Sequence, residues 1–133
     1  MGLLRLLAHG KLNHSEFENR DSIISDLNIS RFDRIIASVP FGLNLPKNRY
    51  PDLEDRTVEE FFIKRAIKAV DDKGKIIAHV SNGFLFRRGR QEKLRKELLN
   101  SGLIEGVIQL PSNLMYNTSV SSSILILSER RSG

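Results

Sequence analysis

The sequence predicts a small α/β domain with a mainly parallel sheet. Three observations carry this. Short apolar runs rich in β-branched residues (Ile35-Ile36-Ala37, Ile76-Ile77-Ala78, Val107-Ile108, Ile124 to Leu127) have the length of buried strands. Stretches with helical spacing of apolar residues separate most of them. Strand–helix alternation of this kind builds parallel sheets with right-handed crossovers. The last two strands have no helix between them, so one antiparallel strand is expected near the C-terminus.

Taken in order, residues 3–8 read as the end of a helix stopped by Gly10. Residues 15–20 read as a short strand carrying Phe17, ended by Asp21-Ser22, and residues 23–30 as a loop or one helical turn. Residues 32–37 are the strongest strand. Residues 42–55, with Pro46, Pro51, Asn44 and Asn48, form a long irregular loop of the kind that is often functional. Thr57 with Glu60 makes a capping box. The helix behind it runs to about Val70, with Val58, Phe61, Phe62, Ala66 and Ala69 inward. Asp71 to Gly74 reads as a turn and 75–80 as a second buried strand. Residues 81–86 are a loop at that strand's carboxyl end. Residues 91–99 are a helix with Leu94, Leu98 and Leu99 inward, stopped at Asn100-Ser101-Gly102. Residues 104–110 form a strand closed by Pro111, 112–122 a polar loop with Met115 and Tyr116, and 123–127 a last strand. One domain over 1–128 and a frayed charged tail over 129–133 are expected.

Bulk properties narrow the function. With 133 residues, 40% hydrophobic and 28% charged, the chain has the composition of one globular domain. It has no cysteine, so disulfides and thiolate metal sites are excluded. No apolar run nears the ~20 residues of a membrane helix. Gly10 and Lys11 cut short any signal peptide, and Leu6 breaks the myristoylation pattern begun by Gly2. A cytoplasmic location without membrane contact is expected. The net charge is +5, and six cations (Arg87, Arg88, Arg90, Lys93, Arg95, Lys96) cluster against Glu92 and Glu97. This cluster is either a solvated helix face or a contact for a polyanion such as nucleic acid.

Several chemistries lack their residues. There is no GxxxxGK[ST], no GxGxxG and no GxSxG. His9, His14 and His79 are scattered, which speaks against a metal site, and His79 within a strand reads as a core histidine. What remains is the end of the strongest strand. Ser38 offers a hydroxyl, Pro40 a fixed φ, and Phe41 a flat ring. In parallel α/β sheets, ligands bind beyond the carboxyl ends of the strands.

At these residues a family resemblance is visible. Ser38-Val39-Pro40-Phe41 resembles the [Asn/Asp/Ser]-Pro-Pro-aromatic motif of S-adenosylmethionine-dependent amino-methyltransferases. FDRIIASVPFG (32–42) is similar to the FDxIxxNPPFG segment of the adenine-N6 DNA methyltransferase (modification) subunits of type I restriction–modification systems. The following stretch GKIIAHVSNGFLFRRGRQEKLRKELLNSGLIEGVIQLPSNLMYNTSVSSSILIL (74–127) resembles theirs phrase by phrase, with a loop of the form NGxLFRxG and a strand ending in Leu-Pro. LLAHGKLNHSEFENRDSI resembles their helix-HG-loop-strand-GD stretch, so the likeness covers about residues 3 to 128.

The resemblance implies a partial Rossmann-like methyltransferase fold, and it assigns roles. Ser38 would accept a hydrogen bond from the exocyclic amine of a flipped base. The Val39 and Pro40 carbonyls would flank that amine, and Phe41 would stack on the base. Asp21 would lie near the adenine of S-adenosylmethionine; its alternative reading is a turn cap. Phe86 and Tyr116 would line the base pocket and DNA face, or else be core residues. Arg87, Arg88 and Arg90 would meet phosphates. The chain departs from the family at Val39, where a second proline is usual, and at Ser38, where Asn is usual. It also lacks the Gly-rich cofactor loop, which belongs upstream of residue 3. The first strands are therefore expected to be missing, leaving a bare edge at residues 35–37. The isolated chain is expected to be inactive, with a specificity subunit or a chain supplying the N-terminal half as partner. The alternative is a non-catalytic remnant that binds DNA or a partner subunit.

Overall fold

The computed structural model describes residues 8–10, 13, 21–24, 31–114, 116 and 118–128. The expected strand over 15–20, most of the helix over 3–8, Met115 and the tail over 129–133 lie outside the described residues. Ala8 is helical and Gly10 follows with φ +63°.

Among the described residues the elements are, in order, β1 (Phe32–Ser38), α1 (Val58–Ala69), β2 (Val70–Ser81), α2 (Asn82–Phe86), α3 (Arg90–Asn100), β3 (Ile104–Gln109) and β4 (Ser122–Ser128). The sheet order is β1-β2-β4-β3. β1 and β2 are parallel, and β4 is antiparallel to both of its neighbours, β2 and β3. Three strands thus share one direction, and the reversed strand sits inside the sheet.

α1 forms where its local signals place it. Thr57 Oγ1 accepts from the Glu60 amide, and the Glu60 carboxylate accepts from the Thr57 amide. Val58, Phe61, Ile63, Ala66 and Ala69 are buried. Ile63 and Ala66 join Leu94 and Leu98 of α3, Phe84 of α2, Ile76, Ala78 and Val80 of β2, and Leu125 and Leu127 of β4 in the main core. Alternate residues of β2 and β4 therefore face one helical layer. The opposite sheet face is set by the register Ile36↔Ile77 and Ile77↔Ile126. It carries no described helix, and Ile36 is 79% exposed. The expectation of a buried strand at 35–37 fails on this face, because no described element covers the side to which Ile36 points.

Three local expectations are corrected. Residues 71–74 are not a turn but part of β2. Phe32 pairs with Val70 and Arg34 with Lys75, so β2 bulges between them. Gly74 makes the bulge feasible, because a Cβ there would lie 2.4 Å from Val70 Cγ2. Residues 82–86 are a short helix rather than a loop, capped by Ser81 Oγ accepting from the Phe84 amide. Leu99 faces solvent, since the inward stripe of α3 is Gln91, Leu94 and Leu98.

Candidate active site

Three loops meet at one end of the sheet. The carboxyl ends of β1 and β2 are neighbours, with Ser38 paired to His79. β4 runs the other way, so its start lies at the same end. The Asn82 amide donates to the Ser121 carbonyl (2.9 Å), and Ser123 Oγ donates to Asn82 Oδ1 (2.7 Å), tying α2 to the loop before β4.

Ser38 is exposed, and its Oγ lies 3.3 Å from His79 Nδ1. His79 Nε2 lies 2.9 Å from Ser122 Oγ. The Phe41 ring meets the His79 ring edge-to-face, with centroids 4.9 Å apart at 84°. His79 is therefore no ordinary core histidine. It is half-buried in the site and touches both side chains that the motif singled out. Val39 packs beside a second apolar cluster of Leu45, Val58 and Phe61. This gives its side chain a contact of its own at the position where the family usually has proline. Pro40 is exposed.

The backbone of this loop is fixed from below by Glu59, which is 0% exposed. One carboxylate oxygen accepts from the Ser81 amide (2.8 Å) and the other from the Gly42 amide (3.4 Å). Glu59 stands in the first turn of α1, where the helix dipole favours an anion. It joins the loop after β1 to the end of β2. Neither Glu59 nor the His79 contacts were marked by any motif.

Asp21 sits at the rim of a groove of about 620 Å³ that also reaches Ser38, Val39 and Pro40. Its Oδ1 accepts from the Ile23 amide, while Oδ2 accepts from Arg49 (3.0 Å) and Tyr50 (3.3 Å). The Ile23 amide, ahead of Arg49 and Tyr50, holds the carboxyl below its usual range. This is the geometry of a turn cap. The other groove-lining residues are apolar apart from Ser22, Ser38 and Arg65. They give the ribose and methionyl groups of S-adenosylmethionine few polar partners, so the lining present does not by itself fit that cofactor.

Phe86 is 76% and Tyr116 92% exposed, so neither is a core residue. Arg87, Arg88 and Arg90 are exposed. Arg90 donates to the Glu54 carbonyl. Arg95 donates to the Phe84 (2.6 Å) and Arg87 (2.8 Å) carbonyls, and Lys96 pairs with Glu92 (2.9 Å). Among the described residues, Arg87, Arg88 and Lys93 form no ion pair. No group of three potential metal ligands occurs, and no helix is long and apolar enough to cross a membrane, again among the described residues.

This fold is shared with methyltransferase chains of known structure. A type I restriction-modification methyltransferase subunit from Streptococcus thermophilus superposes with a TM-score of 0.82 at 23% identity, over 97% of this chain and 31% of that one. A putative class I S-adenosylmethionine-dependent methyltransferase from Listeria monocytogenes gives 0.62 at 24% identity, over 77% and 33%. The sequence pattern described as N-6 DNA Methylase matches residues 2–132. The chain belongs to the N-6 DNA methylase family. It is 36% identical over 70 residues to the type I restriction enzyme MpnII methylase subunit of Mycoplasma pneumoniae, which is 53% of this chain and 13% of that protein. It is 26% identical over 103 residues to the EcoEI methylase subunit of Escherichia coli, 73% of this chain and 21% of that protein. The chain thus spans well under a third of the length of these two relatives.

Proposed function

We propose that this chain is the target-base half of an adenine-N6 DNA methyltransferase of the type I restriction–modification kind. The observation that carries the reading is the Ser38-Val39-Pro40-Phe41 loop. It stands at the carboxyl end of β1, with its hydroxyl and its ring both braced on His79. A base must leave the duplex stack to be methylated. Ser38 Oγ would then accept from the exocyclic amine, the Val39 and Pro40 carbonyls would flank it, and Phe41 would stack on the base, worth about 1–3 kcal/mol. Arg87 and Arg88, exposed beside α2 and without an ion pair among the described residues, would meet phosphates, with Arg90 behind them and Phe86 and Tyr116 along the DNA face.

S-adenosylmethionine is the methyl donor this reading requires, and it would supply an electrophilic methyl group. Asp21 would contribute at its adenine end, and the remaining contacts would come from a segment carrying the Gly-rich loop. The place of β1 at the end of the described sheet, the exposed Ile36 and the groove beside them support docking of such a segment. A specificity subunit would select the DNA sequence.

The test mixes the chain with a polypeptide supplying the Gly-rich half and follows transfer of labelled methyl groups to unmethylated plasmid DNA. The mixture is expected to transfer, and the isolated chain to show no calorimetric binding of S-adenosylmethionine. Phe41→Ala is expected to reduce transfer about tenfold or more, from the lost stacking. Full activity in that variant would refute the stacking role. The second reading is a non-catalytic module binding DNA or a partner subunit. The exposed cations Arg87, Arg88 and Lys93 favour it, and an inactive mixture that still retains DNA would select it.

A further inference from the structure

We infer that His79 is a positioning residue that turns Ser38 into a combined donor and acceptor for the base edge. The inference rests on the target-base reading of the Ser38 loop. Ser122 is 2% exposed, and its hydroxyl has His79 Nε2 as its hydrogen-bond partner at 2.9 Å. A hydroxyl proton left without an acceptor in a dry interior costs more than a spare lone pair. Ser122 therefore donates, and Nε2 accepts. The imidazole proton is then on Nδ1, which faces Ser38 Oγ at 3.3 Å. His79 donates into one lone pair of Ser38.

The polarity at Ser38 follows. Its remaining lone pair and its own O–H both turn away from His79, towards the exposed side of the loop. An acceptor and a donor on one oxygen complement an exocyclic amine beside an unprotonated ring nitrogen, as on the N6/N1 edge of adenine. Asparagine, usual at this point in the family, spreads the same two functions over two atoms. Donation runs in one direction from Ser122 through His79 to Ser38, so each bond polarises the next. The same imidazole holds Phe41 edge-on at 4.9 Å, so one ring positions the hydrogen-bonding group and the stacking face together.

The test begins with ¹⁵N NMR of the imidazoles in the full chain at about pH 8, above the ordinary imidazole range. His79 is expected to show a protonated Nδ1 and an acceptor Nε2. Ser122→Ala should shift Nε2 most, and Ser38→Ala should shift Nδ1 most. The opposite tautomer, or an Nδ1 signal indifferent to Ser38→Ala, overturns the inference. In the reconstituted methyl-transfer mixture, His79→Ala is expected to lower kcat roughly ten- to a hundredfold, the scale of an ångström-sized misplacement. KM for plasmid DNA should stay within about twofold. His79→Asn, whose amide nitrogen takes the place of Nδ1, should recover most of kcat, while His79→Gln should not. Equal losses in the Asn and Gln variants also overturn the inference. A mixture in which the unaltered chain is inactive counts against methyl transfer, and the imidazole signals still decide the tautomer.

Discussion

Glu59 shows how much one side chain carries at this site. Its carboxylate joins two amides from segments 17 and 22 residues away in sequence, and it does so without solvent. Glu59→Leu removes both acceptors and leaves two donors stranded, which costs roughly 2–4 kcal/mol. Urea unfolding should record that loss as a lower midpoint with an unchanged slope. Glu92 makes a weaker, exposed contact. The hydrogen bond from Lys96, reinforced by its charge, holds the Glu92 carboxyl below its ordinary value of 4.5. The folded pKa is depressed, so whatever stability the pair contributes is present above that ordinary value and fades as pH falls through the lowered one. In Lys96→Ala, a carboxyl-carbon NMR titration should find Glu92 moved upwards, towards its ordinary range.

At the scale of the element, α1 was legible because its signals are local. The cap, the acidic residue three positions on and the apolar stripe all lie within one short stretch. Thr57 also receives a bond from Gln91 Nε2 (3.4 Å), linking α1 to α3. Thr57→Ala is therefore expected to cost about 1–2 kcal/mol, towards the upper end for a helix cap, measured by denaturant midpoint. The strands at 104–109 and 122–128 were legible for the same reason, as short apolar runs between turn residues. The bulge of β2 was not. Asp71 to Gly74 has the composition of a turn, and only the distant pairing of Val70 with Phe32 makes it strand. α2 was hidden too, since a five-residue helix has no periodicity to read and is held by a Ser81 cap and by Arg95 from α3. The candidate site was half legible. The motif residues were readable as a word, whereas His79 acquires its meaning from partners 41 and 43 residues away.

At the scale of the whole molecule, the outer flank of β1 governs behaviour. Among the described residues β1 pairs on one side only, and a strand so placed with an isoleucine turned to water invites pairing with another chain. Ile36→Lys should leave the unfolding free energy within about 0.5 kcal/mol, because Ile36 buries little here. It should also reduce self-association of the isolated chain by light scattering, and weaken assembly with a polypeptide supplying the Gly-rich half. Unchanged association of both kinds would show that β1 is not the contact.

The position of β4 has a further consequence, for the order of events during synthesis. β3 is joined to the rest of the described sheet through β4, and β4 follows it in the chain. As the polypeptide leaves the ribosome, β1, α1 and β2 can associate early. β3 must wait, its inner edge unsatisfied, until the residues after 121 emerge and slide between it and β2. Ser122, which anchors the imidazole of His79, arrives in that same closing step. The hydrogen-bonded path from the interior to the Ser38 loop is thus completed only when β4 enters between β2 and β3.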